Sequence, residues 1–352
     1  MVANLMAQAH KFGQIANAPE APMSAKLQLT IACGDYEIIR PLKEGVVKPD
    51  GIELTFLTAM DSNTRHHRFM HGREFDVVEL SGCTYLIARG MGQEFMSLPV
   101  FLHRRFRHGA FYVNTAKGIK HPKDLEGRRV GAKSWTATAI LWMRGILESE
   151  YGVDLRKITW LTDLDEHIEG FEPSGDFKVQ RIRDDQSIED MLVAGEVDAL
   201  LHPDIIDPIE DKDPRVARLF PDFRGEQIDY FKKTGIFPIM HVTAIKPEIL
   251  ERHPWVAHSL MVAFNKAKAL TMQRMENPRM IPLALWREEW ETQREIFGRD
   301  PWEYGLSRSN VHNLETMIGY AHGQGLMPRR MKVDELFLNP TAGAKRDGIF
   351  RY

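Results

Sequence analysis

Cysteine is scarce in this chain: Cys33 and Cys83 are the only two among 352 residues. They are not spaced as C-x-x-C, and no array of cysteines and histidines accompanies them. These absences argue against a disulfide framework and against a structural zinc site. We predict that both cysteines are buried thiols.

A strong charge of either sign is also missing. The chain has 46 Lys and Arg residues and 49 Asp and Glu residues, for a formal net charge of -3. This balance predicts no general affinity for nucleic acid or for an anionic membrane surface. Any recognition of an anion must therefore come from a local cluster of side chains.

The first residues, "MVANLMAQAHKFGQIANAPEAPMSAK", contain neither a basic start nor an apolar run long enough for a signal peptide or a membrane span. We therefore expect a cytoplasmic protein with a flexible N-terminal arm over residues 1–26. No fixed-period repeat and no low-complexity segment interrupts the rest of the chain.

Length and apolar alternation together predict a layered α/β structure. Domains commonly have about 100 to 150 residues, so 352 residues favour two lobes. "LQLTIAC" and "IELTFL" alternate as strands do, and a polar helix then leads to a buried strand at 75–80. This strand–helix–strand order is typical of α/β proteins.

The middle of the chain repeats the pattern. A strand at 129–132 runs into an apolar helix from about Thr136 to Glu150, for which Ser134 or Thr136 is a natural N-cap. Further on, "MLVAGEVDALL" predicts a helix that stops at Gly195 and a strand after it. In "TGIFPIMH", a proline and a histidine end an apolar run, which is unusual for a core strand.

Two of these segments, "DLEGRRVGAKSWTATA" and "MLVAGEVDALL", resemble the type II periplasmic-binding-protein fold in their order and separation. The resemblance implies an α/β protein with two lobes and a cleft between them. Residues 27–112 and 239–352 would form lobe 1, and residues 113–238 an inserted lobe 2. The chain would cross between the lobes near 112–115 and again near 235–241.

Over about residues 27–337 the chain also resembles the 4,5-dihydroxyphthalate decarboxylases of aromatic catabolism. The resemblance rests on "LTIACGDYEIIRPLKEGVVKPDGIELTFL", "HGREFDVVELS", "FRHGAFYVN", "TGIFPIMH" and "QGLMPRRMKVDELF". It implies a carboxy-lyase that converts 4,5-dihydroxyphthalate into protocatechuate and carbon dioxide without an organic cofactor.

Candidate site residues follow from the rule that ligands of open α/β sheets bind at the carboxyl ends of strands. They lie in "CGDYE", "ELSG", "FRH", "SWTAT", "HPD" and "GIFPIMH". The residues are Asp35, Tyr36, Glu79, Ser81, Arg107, His108, Ser134, Thr136, Thr138, His202, Asp204 and His241.

Proton transfer is assigned to histidine, which suits either an acid or a base near neutral pH. His241 and His108 are the first candidates and His202 is the third. Asp35 or Glu79 would receive the catechol hydroxyls. Which histidine is the acid and which the base stays open.

Anion recognition has two candidate sources. In "HRRFRH", Arg107 would bind a substrate carboxylate, whereas Arg104 and Arg105 are interpreted as a solvated basic loop. The helix that begins near Thr136 offers free backbone N–H groups, which Ser134 and Thr138 would flank as small hydroxyl residues. The alternative for these hydroxyl residues is ordinary N-capping.

A metal site is the weaker interpretation of the histidines. His67 and His71 are spaced i, i+4 but lack an accompanying acid, so we predict a solvated helix face. His202, Asp204 and His241 form a plausible divalent-metal set, although we favour cleft histidines without metal.

A small aromatic carboxylate is the expected partner, homo-oligomerisation is left open, and neither nucleic acid nor membrane is expected. The alternative function is a non-catalytic solute-binding protein of the same fold, which would need export.

Overall fold

Within residues 25–164, 166 and 168–340, the part of the chain that this computed structural model describes, eleven strands form two sheets. The strands are β1 (Leu27–Ala32), β2 (Ile52–Leu57), β3 (Val77–Ser81), β4 (Met96–Leu98), β5 (Phe111–Asn114), β6 (Arg129–Ala132), β7 (Thr159–Thr162), β8 (Lys178–Arg181), β9 (Ala199–Leu201), β10 (Val216–Arg218) and β11 (His241–Ile245). The predicted N-terminal arm lies almost wholly outside the described residues.

The helices are α1 (Arg40–Lys43), α2 (Ser62–Gly72), α3 (Gly82–Gly90), α4 (Thr138–Tyr151), α5 (Ile188–Ala194), α6 (Asp207–Glu210), α7 (Phe223–Thr234), α8 (Pro247–Arg252), α9 (Val256–Met275), α10 (Trp286–Phe297), α11 (Arg308–Gly323) and α12 (Val333–Leu336). Among the described residues, no helix combines the length and the apolar composition that a membrane crossing requires.

The first sheet has the strand order β2-β1-β3-β11-β4. Its first three strands are parallel, and β11 runs antiparallel to both β3 and β4. The second sheet has the order β10-β5-β9-β6-β7-β8 and is parallel from β9 to β8. The mixed α/β architecture with two lobes is therefore confirmed, and both cysteines are buried free thiols as predicted.

The chain passes between the sheets twice. The outgoing crossover is residues 99–110, because residues 111–114 already form β5 of the second sheet; it precedes the crossing expected near 112–115. The return crossover is residues 235–240, which follow α7 and enter β11. The residue ranges of the two lobes stay a prediction.

The two crossovers run side by side. Arg104 and Ile239 form an antiparallel bridge, and Met240 N–H donates to the carbonyl of His103 at 2.9 Å. Pro238 donates no hydrogen bond, but its carbonyl accepts one from Arg105 N–H at 3.1 Å. The proline thus lies in a paired segment without disturbing it.

Apolar alternation places the core on both faces of the first sheet. Leu29 and Ile31 pack with α9 residues such as Leu260 and Phe264 in one buried cluster. The opposite face contributes Val78 and others to a larger cluster that continues into the second sheet. The predicted helix stop at Gly195 is confirmed, since Gly195 ends α5 with a φ of 75°.

One predicted cap is wrong. Helix α4 begins at Thr138 rather than Thr136, its N-cap is Ala137, and no side chain caps it, so neither Ser134 nor Thr136 has that role. The reason is that the Thr136 hydroxyl contacts another side chain, Glu166, instead of the first turn of its own helix.

Candidate active site

The carboxylate of Glu79 lies at the centre of the site. It comes from β3, opposite Thr243 of β11, and its side chain is fully buried. Four donors surround its two oxygens: Gly34 N at 2.7 Å, Tyr36 Oη at 2.6 Å, Arg65 Nη2 at 2.8 Å and His241 Nδ1 at 2.6 Å. All acceptor positions of the carboxylate are therefore used by the protein.

Burial alone raises the pKa of Glu79, but the charges and hydrogen bonds of His241, Arg65 and Tyr36 outweigh it and lower the pKa below its ordinary value. Glu79 is therefore ionised at neutral pH. Burial and the charge of Glu79 raise the pKa of Tyr36, so its hydroxyl keeps the proton that it donates. Glu79 was predicted to receive a catechol hydroxyl, but donors of the protein occupy both of its carboxylate oxygens. The geometry instead makes Glu79 the group that orients His241.

His241 is the first residue of β11 and pairs with Ser81 at the end of β3. Because an ionised carboxylate only accepts, the Nδ1 of His241 carries the proton toward Glu79, and Nε2 is the nitrogen free to act on a ligand. Its side chain is 13% exposed, so the ring is reachable. A histidine held by a carboxylate in one tautomer is a common arrangement for proton transfer.

Two more histidine rings contact His241. The ring of His66, on α2, lies 5.2 Å away between centroids, and the ring of His103, on the outgoing crossover, lies 4.7 Å away; both meet it edge-on. Burial and the positive charges of His241, Arg107 and Arg105 lower the pKa of His103 to about 2. His103 is therefore a neutral imidazole.

Arg107 is a buried cation for which the described residues provide no ion-pair partner. It is 3% exposed, its Nη1 donates to the carbonyl of Pro203 at 2.6 Å, and its Nε faces Met240 Sδ at 3.2 Å. Among the described residues, no carboxylate lies within ion-pair distance of it. Burial lowers its pKa to about 9, which leaves the guanidinium charged at neutral pH.

The prediction that Arg104 belongs to a solvated basic loop is wrong. Arg104 is 4% exposed and donates to the carbonyls of Phe237 and Glu303 and to Asn310 Oδ1. Only Arg105 is exposed as expected. Arg104 ties the outgoing crossover to the C-terminal helices.

The backbone N–H groups before α4, which were predicted to bind an anion, bind a carboxylate of the protein itself. Glu166 accepts from Trp135 N–H at 2.7 Å, from Thr136 N–H at 3.0 Å and from the Thr136 hydroxyl. Ser134 is buried beside them. The donor set thus fits a carboxylate, which is the ligand type predicted for it.

The remaining predicted hydroxyl residues, Ser81 and Thr138, connect the first sheet to helix α4. The Ser81 hydroxyl, at the end of β3, lies 2.8 Å from the Thr138 hydroxyl at the start of α4. The Thr138 hydroxyl also accepts from Cys83 N–H at 3.0 Å. These bonds hold the first turn of α4 against the end of the first sheet.

Three predicted residues are not brought to Glu79 and His241. Asp35 is an exposed partner of Lys43 at 2.8 Å. His108 is fully buried between Phe220 and Tyr230, its two ring nitrogens have no hydrogen-bond partner in the described part of the chain, and burial lowers its pKa to about 4.

His202 is the third. It lies near the end of β9 and accepts from Asp204 N–H at 3.1 Å, while its Nε2 is 3.8 Å from Glu189. The Asp204 carboxylate is 72% exposed. Over the described part of the chain, no three His, Cys, Asp or Glu side chains are grouped as metal ligands would be, which applies to His202, Asp204 and His241 as well.

Arg65, His66 and His103 were missed from the sequence. The segment "RHHRFMH" was interpreted as a solvated helix face, which is correct for exposed His67 and His71. Arg65 and His66 are buried on the other side with Phe69. The spacing of Arg65 and Phe69, four residues apart, could have indicated this buried face.

Comparison with known proteins gives two curated relatives. The chain is 31% identical over 322 residues to a 4,5-dihydroxyphthalate decarboxylase of Comamonas testosteroni, covering 89% of this chain and 97% of the relative. It is 30% identical over 227 residues to a protein of the same name from Pseudomonas putida, covering 61% and 85%. No protein-family model matches the chain.

Solved structures resemble the fold at low sequence identity. The periplasmic aliphatic sulphonate-binding protein of Escherichia coli is 14% identical with a TM-score of 0.54, over 94% of this chain and 97% of that one. The alkanesulfonate-binding protein of Xanthomonas axonopodis is 15% identical with a TM-score of 0.51, over 91% and 100%. These likenesses show the periplasmic-binding-protein-like fold, as predicted.

Proposed function

This chain belongs to the 4,5-dihydroxyphthalate decarboxylase family, and we propose that it removes one carboxylate from 4,5-dihydroxyphthalate to give protocatechuate and carbon dioxide. The observation that carries the proposal is the Glu79–His241 pair, together with the buried guanidinium of Arg107, which contacts Met240 next to His241 and has no ion-pair partner among the described residues. The site thus combines a group that moves protons with one that attracts an aromatic acid.

The chemistry needs three proton transfers and no redox step. The hydroxyl para to the departing carboxylate loses its proton, and its electrons allow the ring carbon that bears that carboxylate to be protonated. The resulting dienone breaks its carbon–carbon bond, carbon dioxide leaves, and the electron pair restores the aromatic ring as a phenolate, which then takes up a proton. One proton is consumed overall, because a dicarboxylate becomes a monocarboxylate.

We assign proton transfer to Nε2 of His241. Glu79 holds the opposite nitrogen and stabilises the imidazolium that forms when Nε2 takes a proton. Arg107 would pair with a substrate carboxylate, since a guanidinium matches a carboxylate in a bidentate way. Burial of Arg107 strengthens this pairing, because no carboxylate of the described residues lies within ion-pair distance of it and Asp204 acts on its charge only from further away.

The test is an assay of purified protein with 4,5-dihydroxyphthalate, without added organic cofactor and with or without a chelator. We expect carbon dioxide and protocatechuate in both cases. Loss of activity on chelation, restored by a divalent ion, would overturn the metal-free mechanism. Tight binding of the acid without turnover would overturn the decarboxylase assignment and support a solute-binding protein instead.

His241→Asn isolates the proton transfer. The Asn amide can still donate toward Glu79 but has no group at the position of Nε2. We expect the fold to persist and turnover to fall by about a hundredfold to ten-thousandfold. His67→Asn, the same change at an exposed histidine of α2, is the control and should leave turnover unchanged. Unchanged turnover in His241→Asn would remove His241 from the mechanism.

A further inference from the structure

His103 is a polar side chain at this site to which the mechanism above gives no role. It lies on the outgoing crossover, and its carbonyl accepts from the N–H groups of Met240 at 2.9 Å and His241 at 3.3 Å. These backbone bonds fix its ring beside that of His241, with 4.7 Å between centroids and 78° between planes. On its other side the ring stacks on Tyr36 at 6.3 Å.

The ring of His103 packs against neighbouring rings, but none of the described residues hydrogen-bonds to it. Its Nδ1 is buried without a hydrogen bond, and no bond among the described residues involves its Nε2. The residue as a whole is partly exposed. A neutral imidazole with an unused nitrogen at a ligand site is a group that a ligand would satisfy.

Two imidazoles in edge contact match two adjacent hydroxyls. A catechol presents its two oxygens on neighbouring ring carbons, so His241 and His103 can each contact one of them. The two hydroxyls are not equivalent in the reaction. The hydroxyl para to the departing carboxylate supplies the electrons, whereas the meta hydroxyl cannot deliver its electrons to that carbon.

We propose that His103 is a specificity-determining residue that hydrogen-bonds to the second hydroxyl of the catechol, the one that takes no part in bond breaking. The inference rests on the proposed function. It makes the substrate class of the site ortho-dihydroxylated aromatic acids rather than phenolic acids in general.

The surroundings of His103 agree with this role. Burial and the positive charges of His241, Arg107 and Arg105 keep His103 neutral, and they outweigh the opposing charge of Glu79. A group that stays neutral suits a hydroxyl whose proton does not move. His241, which Glu79 supports as an imidazolium, suits the hydroxyl whose proton does.

The experiment compares two substrates that differ only in the second hydroxyl, 4,5-dihydroxyphthalate and 4-hydroxyphthalate. Both have a hydroxyl para to a carboxylate. We expect the native protein to favour the dihydroxy acid in kcat/KM by about a hundredfold or more, because the other acid leaves His103 without a partner. In His103→Phe, which keeps a ring against Tyr36 and His241, the preference should fall below about threefold.

The preference is the ratio of kcat/KM for the two acids. Comparing this ratio between the native protein and a variant cancels the intrinsic reactivity of the acids. His103→Gln, which restores an amide near Nε2, should recover part of the preference, and His67→Phe should leave it unchanged. An equal loss on both substrates in His103→Phe would overturn the proposal, because a merely structural role predicts that result.

Binding gives a second readout that needs no turnover. Protocatechuate and 3-hydroxybenzoate, the two expected products, also differ only in that hydroxyl, and calorimetry measures their affinities. The native protein could decarboxylate neither acid and still bind protocatechuate more tightly than 3-hydroxybenzoate. If His103→Phe then binds the two products equally, the proposed function fails while the inference holds. If the native protein shows no preference in rate or in binding, the inference fails.

Discussion

Among single residues, the arginines of "HRRFRH" show how little a side chain's type says about its role. Arg104, Arg105 and Arg107 lie within four positions, yet the first is buried against carbonyls, the second is exposed, and the third is buried without an acid. A sequence shows three similar cations, and alternation along an extended segment gives only their relative sides. Their environments come from Phe237, Glu303 and Pro203, which are distant in sequence.

This difference predicts opposite effects of one substitution at two sites. Arg107→Met should raise KM for the dicarboxylate at least tenfold with little loss of stability, because a buried unpaired cation is costly to the folded state. Arg104→Met should lower the free energy of unfolding by about 2 kcal/mol or more, because the hydrogen bonds of this buried guanidinium to the carbonyls of Phe237 and Glu303 and to Asn310 Oδ1 are all lost. Steady-state kinetics and urea unfolding on both variants separate the two cases. Equal effects on KM would contradict the assignment of Arg107.

At the scale of elements, the backbone N–H groups at the start of α4 were predicted to bind a substrate carboxylate, and that role stays a prediction. The free N–H groups before α4 do hold a carboxylate, but it belongs to Glu166, which lies 30 residues further along the chain. Strand and helix patterns predicted β6 and α4; they contain no information on which loop returns to cover them.

We expect Glu166→Ala to lower KM for 4,5-dihydroxyphthalate severalfold, because a substrate carboxylate would no longer compete with a protein carboxylate for Trp135 and Thr136. Thr136→Val should raise KM in the same assay, since it removes the hydroxyl donor. If both variants lose stability and neither changes KM, these donors serve the protein alone and the substrate carboxylates bind elsewhere.

Helix α2 gives a second lesson at this scale. Its exposed face was predicted correctly from polar residues. Arg65 and His66 are polar too, so the sequence did not indicate that they lie on the buried face. Arg65 is buried because Glu79 compensates its charge at 2.8 Å. A buried ion pair between α2 and β3 has no local signal, because each partner alone resembles a surface residue.

For the whole molecule, buried histidines set the response to acid. Burial lowers the pKa of His103 to about 2 and that of His108 to about 4, whereas an unfolded histidine has a pKa of about 6.5. Below pH 6.5 the unfolded chain therefore binds more protons than the folded one. The stability that neutral histidines contribute is present above that pH and is lost as the pH falls, by roughly 1.4 kcal/mol per pH unit for each.

His108→Phe tests this effect where no ligand is involved. Phenylalanine suits the space between Phe220 and Tyr230, so stability at pH 7 should be kept. The loss between pH 6.5 and pH 4 should shrink by roughly 3 kcal/mol. Urea midpoints over that range measure it, with exposed His312→Phe as the control. An unchanged pH dependence would show that His108 is not the group responsible.

Strand alternation is a local signal and predicted the α/β layering, whereas two lobes with a return crossover at "GIFPIMH" were implied by the resemblance of the sequence; the role of His241 stays a prediction. The sequence did not predict that Glu79 would be enclosed by Gly34, Tyr36, Arg65 and His241, or that His108 would be turned away from them. Those facts depend on which strands become neighbours, such as β3 and β11. Only the assembled sheet contains that information.

The pairing of the two crossovers has a consequence for the working cycle. In two-lobed proteins, hinge motions rotate one lobe against the other about the connecting segments. A rotation displaces atoms in proportion to their distance from its axis; His103 lies on the outgoing connecting segment, and His241 directly follows the returning one. Entry of substrate and departure of product would therefore change the access to these two rings while leaving their spacing intact, so the enzyme need not rebuild its reactive centre at each turnover.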